Sequence, residues 1–376
     1  MQRYLEAVVR ADLGKKMVFL SGARQVGKTT LAQAIQSAYP HAQYLNWDVP
    51  NDRRILLDQS WNPRAALLVL DEIHKMRDWK AYLKGVYDGR SPGQAILVTG
   101  SARMDTFRQS GESLAGRYFG LRLHPISVRE WCVVSGATPE AALERLFERG
   151  GFPEPFLADR VVDADRWRGP YLDGLIREDV LEFSRIHEIR TMRLFVEMLR
   201  SRVGSPLSLA SLARDLQVSP TTLAKYLDIL EALYVVFVVR PYHGNIARAI
   251  LKEPKVYFFD AGLVAGEGPR FENLCAAMLL KHVQFLEDTE GRAIRLHYIR
   301  DKDGREVDFA VCEDGEPVLL AECKTADHVV APFLAKLAER FPRAQAAQVV
   351  RDLRQAERRA GVSVASAAAW LAGLAA

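Results

Sequence analysis

Five short apolar runs are spaced along the first third of the chain, centred near Val18, Tyr44, Leu68, Leu97 and Leu121. Each is strand-length and is followed by a segment with helical spacing, such as Leu31, Ala34 and Ile35 after the first run. Continuous apolar strands alternating with amphipathic helices predict a helix-flanked, mostly parallel sheet. "RGGFPEPFLAD" at 149–159 breaks that rhythm, and residues 163–204 read as helical. Next, Leu209, Leu212, Ala213 and Leu216 form an apolar stripe after Ser208, a good N-cap residue. After a turn at Gln217 and Val218, Ser219-Pro220 opens a second stripe of Leu223, Tyr226, Leu227 and Leu230, and "YVVFVV" reads as a strand. Helix, short turn, helix, strand is the pattern of a winged helix-turn-helix. Its exposed second-helix residues, Thr221, Thr222 and Lys225, suit phosphates or base edges, or equally a protein surface. The Ala-rich tail after Arg351 reads as helical.

The sharpest chemical signal lies where the first strand meets its helix. "GARQVGKT" fits G-x-x-x-x-G-K-[ST] with Gly22, Gly27, Lys28 and Thr29, and Ala23, Arg24, Gln25 and Val26 complete the loop up to Thr30. Glycines let backbone N–H groups curl around phosphate, and the helix N-terminus adds positive potential. Lys28 is expected to reach the β- and γ-phosphates of ATP, and the Thr29 hydroxyl to ligate Mg²⁺. The third strand, "ALLVLDE", ends in Asp71 and Glu72. Asp71 is placed to hold the Mg²⁺ shell and Glu72 to orient or deprotonate the attacking water; a pair of helix-capping acids is the plainer alternative. At the end of the fourth strand, Ser101, or less favourably Thr99, is a candidate to touch the γ-phosphate, with a simple helix cap as the competing role. Arg117 precedes the fifth strand, where ring-forming ATPases often aim an arginine at a neighbour's nucleotide; Arg103, Arg122 and Arg129 are its rivals.

Near the other end, "EVDFAVCEDGEPVLLAECK" reads as a hairpin. A turn over Glu313–Pro317 opposes Cys312 to Val318 and Asp308 to Glu322, with Lys324 on the same face. Val307, Phe309, Val311, Leu319, Ala321 and Cys323 then make an apolar back face. A tighter Asp314-Gly315 turn shifts the register by one and splits the acids between faces. The apolar partition favours the longer turn. Two carboxylates can hold Mg²⁺ and a nearby lysine can orient water; Glu272, on a helix upstream, adds a further acid.

The D…ExK arrangement of Asp308, Glu322 and Lys324 resembles the core of the restriction-endonuclease-like superfamily. The order P-loop, "GGFPEP", winged helix, "FEN", "YIRDKDGREVDF" and "ECK" resembles a prokaryotic family of AAA-type ATPases with a nuclease-like C-terminal domain of unknown function. The resemblance covers nearly the whole chain. It implies ATP at Gly22–Thr30, Mg²⁺ at Thr29 and Asp71, a catalytic Glu72, and a nuclease-like trio that either cuts or only binds. The implied fold is α/β throughout: an ATPase core at 1–148, a helical segment at 149–205, a winged helix at 206–245 and a nuclease-like domain at 246–376. Expected partners are ATP, DNA and further copies of the chain. The alternatives are an ATP-driven signalling or defence switch that binds without cutting, and a nucleotide-gated scaffold, which the Asp71-Glu72 pair disfavours.

Composition narrows this little. The 376 residues allow two or three domains, and a net charge of +4 permits an anionic partner without requiring one. The four cysteines lack metal-site or disulfide spacing. No apolar run reaches membrane length, and "MQRYLEAVVRADLGKK" has no apolar signal core, so a cytoplasmic location without membrane contact is expected.

Overall fold

The computed structural model describes residues 1–100, 114–179, 189–242, 252–326, 329–353 and 355–376. They divide into two compact units: 1–124 with 232–234, and 125–231 with 235–376.

The first unit is built on five parallel strands: β1 (Met17–Gly22), β2 (Gln43–Asn46), β3 (Leu67–Asp71), β4 (Ala95–Thr99) and β5 (Tyr118–Leu123), in the order β2-β3-β4-β1-β5. Every residue of β1, β3 and β4 is buried, which is why these strands read as unbroken apolar runs rather than alternations. Helices α1 (Glu6–Leu13), α2 (Lys28–Gln36), α3 (Pro50–Asp58) and α4 (Trp79–Asp88) accompany the sheet. One face packs Phe19, Leu68, Leu70 and Val98 against Trp79 and Leu83 of α4. The parallel register brings the C-terminal ends of β1, β3 and β4 to one edge, with Asn46 beside Asp71 and Asp71 beside Thr99.

The second unit has an eight-stranded mixed sheet in the order β12-β13-β11-β10-β9-β8-β6-β7. Its strands are β6 (Val236–Pro241), β7 (Lys255–Phe258), β8 (Ile294–Arg300), β9 (Glu306–Glu313), β10 (Glu316–Ala326), β11 (Gln345–Asp352), β12 (Glu357–Arg359) and β13 (Val362–Ser366). The helices Val128–Ser135 and Pro139–Arg149, expected with the first domain, belong to this unit. β6 and β7 lie on either side of position 245 and pair antiparallel, so the division expected there runs through a sheet.

The helices Leu209–Asp215 and Pro220–Ala232 form where the two stripes predict them. Ser219 caps the second, accepting from the Thr222 N–H at 3.0 Å, whereas Ser208 makes no side-chain cap bond. Thr221 and Lys225 are exposed; Thr222 is half-buried with its hydroxyl bonded to Ser219. The tail is a correction: after Asp352 it forms the β12–β13 hairpin, and only Ala367–Ala372 is helical. Ala360 and Gly361 both take positive φ, a two-residue hairpin turn that outweighs the helical preference of the alanines.

The β9–β10 hairpin corrects the turn but keeps its consequence. Asp314 (φ 51°) and Gly315 (φ 85°) make the tight turn, pairing Glu313 with Glu316 and Cys312 with Pro317. The register then shifts between Pro317 and Leu319, so that Leu319 opposes Val311 and Ala321 opposes Phe309. Pro317 has no N–H for the ladder, and the bulge follows it directly. One extra residue restores the register that sets Asp308 against Glu322. The expected apolar back face does not survive: Val307, Ala310, Cys312 and Leu320 pack towards Leu334 and Leu337 of the helix Pro332–Arg340, while the Phe309 ring meets Tyr257, 5.6 Å between centroids. A second shift, between β8 and β9, breaks the alternation, and both faces of this sheet are covered.

Candidate functional site

In the first unit the loop after β1 is shaped for close approach. A Cβ on Gly22 (φ 147°) would lie 2.4 Å from the Leu123 carbonyl oxygen, so only glycine fits. Gln25 and Gly27 also take positive φ (61° and 99°), and Gly27 caps α2. Ala23 and Val26 are buried and pin the loop, while Arg24 and Gln25 are exposed on it. Arg3, which the sequence reading missed, fastens the loop from beneath: its guanidinium donates to the Val26 and His124 carbonyls, each at 2.5 Å. Lys28, buried at the head of α2, donates to the carbonyls of Gly22 and Ala23 at 3.0 and 2.7 Å. Thr29 and Thr30 follow on the exposed first turn.

Asp71 is the polar centre of this edge. One carboxylate oxygen accepts from Thr99 Oγ1 at 2.5 Å; the other accepts from Tyr44 and, at 3.4 Å, from Thr29. Thr99, fully buried, therefore supplies the hydroxyl at the end of β4; Ser101 lies outside the described residues. Tyr44 was not anticipated, and it follows from β2 running parallel beside β3. Burial, then the Asp71 carboxylate, push the Tyr44 phenol well up, so it stays a donor.

Glu72 sits on left-handed backbone (φ 56°, ψ 20°), its N–H bonded to the Thr99 carbonyl at 3.0 Å. A non-glycine residue in that region carries strain, a common mark of a working site. Its carboxylate lies 3.5 Å from Lys75 Nζ and 3.6 Å from His74 Nε2. Lys75 also reaches Asp48 at 2.5 Å. Burial raises the Glu72 carboxyl above the usual range; Lys75 and Lys28 pull against it. A carboxylate moved towards neutrality suits a general base.

A hydroxyl and a carboxylate at the helix head are the hard oxygen donors Mg²⁺ takes, and it commonly takes few from protein, completing its shell with phosphate and water. Among the described residues no three or more His, Cys, Asp or Glu side chains converge as a metal group, which that economy accommodates. Thr29 and Asp71 therefore fit Mg²⁺, and the glycine loop with Lys28 fits a polyphosphate.

Arg117 stands elsewhere. Its carbonyl accepts from Met17, at the start of β1, while the glycine loop is at that strand's other end, roughly 16 Å away at ~3.3 Å per residue. Its guanidinium forks onto Asp88 at 2.9 and 3.1 Å. In its own chain Arg117 thus does not reach Glu72. Of its rivals, Arg129 bonds the Leu374 carbonyl within the second unit, and Arg103 lies outside the described residues.

In the second unit the hairpin residues do meet. Asp308 accepts from the Cys323 N–H at 2.9 Å, its own N–H points to Glu322 at 3.4 Å, and Lys324 donates to Glu322 at 2.7 Å. Burial, then Asp308, raise the Glu322 carboxyl. Glu272, on the helix Glu267–Glu290, accepts from Tyr257 at 2.7 Å and from Lys255 at 3.2 Å. Lys255 also lies 3.5 Å from Asp308 and 2.5 Å from Glu306. Neither Lys255 nor Glu306 was singled out from sequence; the one signal was a lysine at the head of the apolar run "VYFF".

Comparison with known proteins bears on both units. Residues 14–132 match a family described as an AAA domain. Residues 140–266 and 267–370 match two families described as domains of unknown function, DUF8612 and DUF4143. An uncharacterized protein of Mycobacterium tuberculosis is 32% identical over 250 residues, which are 66% of this chain and 55% of that protein. One of Haemophilus influenzae is 20% identical over 342 residues, 82% of each chain. This chain therefore spans about half the length of the mycobacterial relative, 55%. Among solved structures, a variant of Thermotoga maritima RuvB aligns with a TM-score of 0.32 at 17% identity, over 62% of this chain and 88% of that one. A signal transduction ATPase with numerous domains from Pyrococcus horikoshii aligns at 0.27 and 12%, over 76% and 47%. Scores this low carry no argument about fold or function. No described helix is long and apolar enough to cross a membrane. The family match and the loop geometry together identify residues 14–132 as a P-loop ATPase domain of the AAA type.

Proposed function

We propose that the protein is a Mg²⁺-dependent ATPase that couples hydrolysis to work on DNA, binding or remodelling it. The observation that carries the ATPase reading is the Thr29–Asp71–Glu72 edge: a hydroxyl and a fixed carboxylate at the helix head, beside a second carboxylate raised by burial. Gly22–Thr30 cradle the phosphates, Lys28 neutralises them, and Thr29 with Asp71 hold Mg²⁺, which when bound offsets charge developing on the phosphoryl oxygens. Glu72 takes the proton of the attacking water, and Thr99 and Tyr44 keep Asp71 aimed. Arg117 acts on a neighbouring copy, since its own strand carries it to the far end of the sheet; this makes the working form a homo-oligomer, located in the cytoplasm.

What supports DNA as the partner is the pair of helices ending in Pro220–Ala232, read as a winged helix, with Thr221 and Lys225 exposed. A single lysine on that face equally favours the second reading, a switch whose second unit binds protein. Phosphate release measured with Mg²⁺, with and without single-stranded, duplex and branched DNA, separates them. Stimulation by any DNA supports the first reading; equal rates throughout leave the switch. No phosphate release under any condition removes the ATPase.

A further inference from the structure

Lys255 enters the second unit's acid cluster from β7, with a side chain fully withdrawn from solvent. Its ammonium faces Glu306 at 2.5 Å, Glu272 at 3.2 Å and Asp308 at 3.5 Å, the first and last from β9 and the second from the helix Glu267–Glu290. Burial alone pushes a lysine's pKa down; here Glu272, Asp308 and Glu306 outweigh it and the pKa rises, so the charge stays on. Tyr257 shares the Glu272 oxygen that faces Lys255, the other Asp308 oxygen accepts from the Cys323 N–H, and Glu322 accepts from Lys324.

A divalent cation at such a cluster needs carboxylate oxygens converging at about 2.0–2.6 Å on an unoccupied centre. Here the common neighbour of three carboxylates is an ammonium. A second cation placed among them sits within a few ångström of a fixed positive charge, where low dielectric magnifies the repulsion. Access is not what limits entry. A cavity of about 340 Å³ is lined by Gly204, Ser205, Phe271, Glu272, Cys323 and Lys324, so it reaches the cluster's edge. The Glu272 carboxylate packs closely on Gly204, where a Cβ would lie 2.6 Å from it.

We propose that Lys255 is the resident cation of this acid cluster, taking the position a divalent metal would need, so that the second unit does not cut nucleic acid through Asp308 and Glu322. The corollary is a latent metal site: the carboxylates do not converge on a metal while the ammonium spaces them, and they close on one when it is removed. This goes beyond the ATPase reading and does not depend on it.

The test is Mn²⁺ binding to the full chain without nucleotide, followed by the electron spin resonance of free Mn²⁺, in an Asp71→Asn background that removes the first unit's carboxylate. The Asp71→Asn protein should bind no Mn²⁺ at the cluster. Adding Lys255→Gln should create one site, at least tenfold tighter, lost again when Asp308→Asn is added; Mn²⁺ should raise the melting temperature of the Lys255→Gln protein alone. A folded Lys255→Gln protein that gains no site overturns the proposal. So does Mn²⁺ bound by the Asp71→Asn protein and released by Asp308→Asn, a comparison that stands even where Lys255→Gln fails to fold. Mg²⁺- or Mn²⁺-dependent nicking of single-stranded, duplex or branched DNA by wild type, lost in Asp308→Ala, overturns it independently.

Discussion

Two groups of acids and lysines in this chain use the same residue types and reach opposite states. At the strand ends of the first unit, Lys28 is spent on loop carbonyls, and Asp71 is held by the neutral hydroxyls of Thr29, Tyr44 and Thr99. No lysine or arginine forms an ion pair with Asp71 among the described residues, so its charge is positioned but not cancelled. In the second unit Lys255 and Lys324 lie directly on the acids. Hydroxyl donors fix a carboxylate and leave its charge available to a cation; ammonium donors fix it and neutralise it. The difference decides which site can take a cation from solution, and residue type alone does not reveal it.

The strongest way to break this contrast is Lys28→Ala. It removes the buried cation at the head of α2 while leaving the helix intact, and should abolish detectable binding of labelled ATP by a folded protein. Tight binding in that variant would show that another group carries the phosphates. Arg117→Ala comes next: nucleotide affinity should stay near wild type while hydrolysis falls by about 10³. Mixing it with Glu72→Gln subunits should restore turnover, because each supplies what the other lacks; activity in strictly monomeric wild type would remove the role across an interface.

Lys255→Ala sharpens the other side of the comparison. Three acids lose their shared cation, so the second unit should lose about 3 kcal/mol of stability, the scale for breaking a buried ion pair. ATP affinity should be unchanged, and a thermal scan reporting no loss would mean the cluster is not charge-locked. The smallest effect is expected from Asp88→Ala. It frees Arg117 from an exposed pair of little worth, so hydrolysis should change by less than about twofold.

The first unit was legible because its three central strands are buried on both faces and its loop is punctuated by glycines that the backbone needs, Gly22 above all. Those signals are local. Tyr44 and Arg3 were invisible because they reach the site through strand register and through a side chain folding back from the N-terminus onto the Val26 carbonyl, respectively. The hairpin shows the limit differently. Asp314-Gly315 is the correct local turn signal; the longer turn rests on the assumption that alternation continues past Pro317. A bulge there, and helices on both faces, made that assumption fail while leaving Asp308 opposite Glu322. The tail misled through composition: alanine favours helix only where no turn such as Ala360-Gly361 intervenes.

The most direct measurement of the central claim is hydrolysis of labelled ATP against pH by wild type and Glu72→Gln. Glu72 acts as a base, so it must be ionised; its carboxyl is raised by burial, so the rate should fall as pH drops through a value above the ordinary 4.5. Glu72→Gln should retain bound, unhydrolysed ATP, lose about 10³ in rate and lose that acid limb. Wild-type turnover with the same limb in Glu72→Gln would contradict the account, because the water would then be handled by another group.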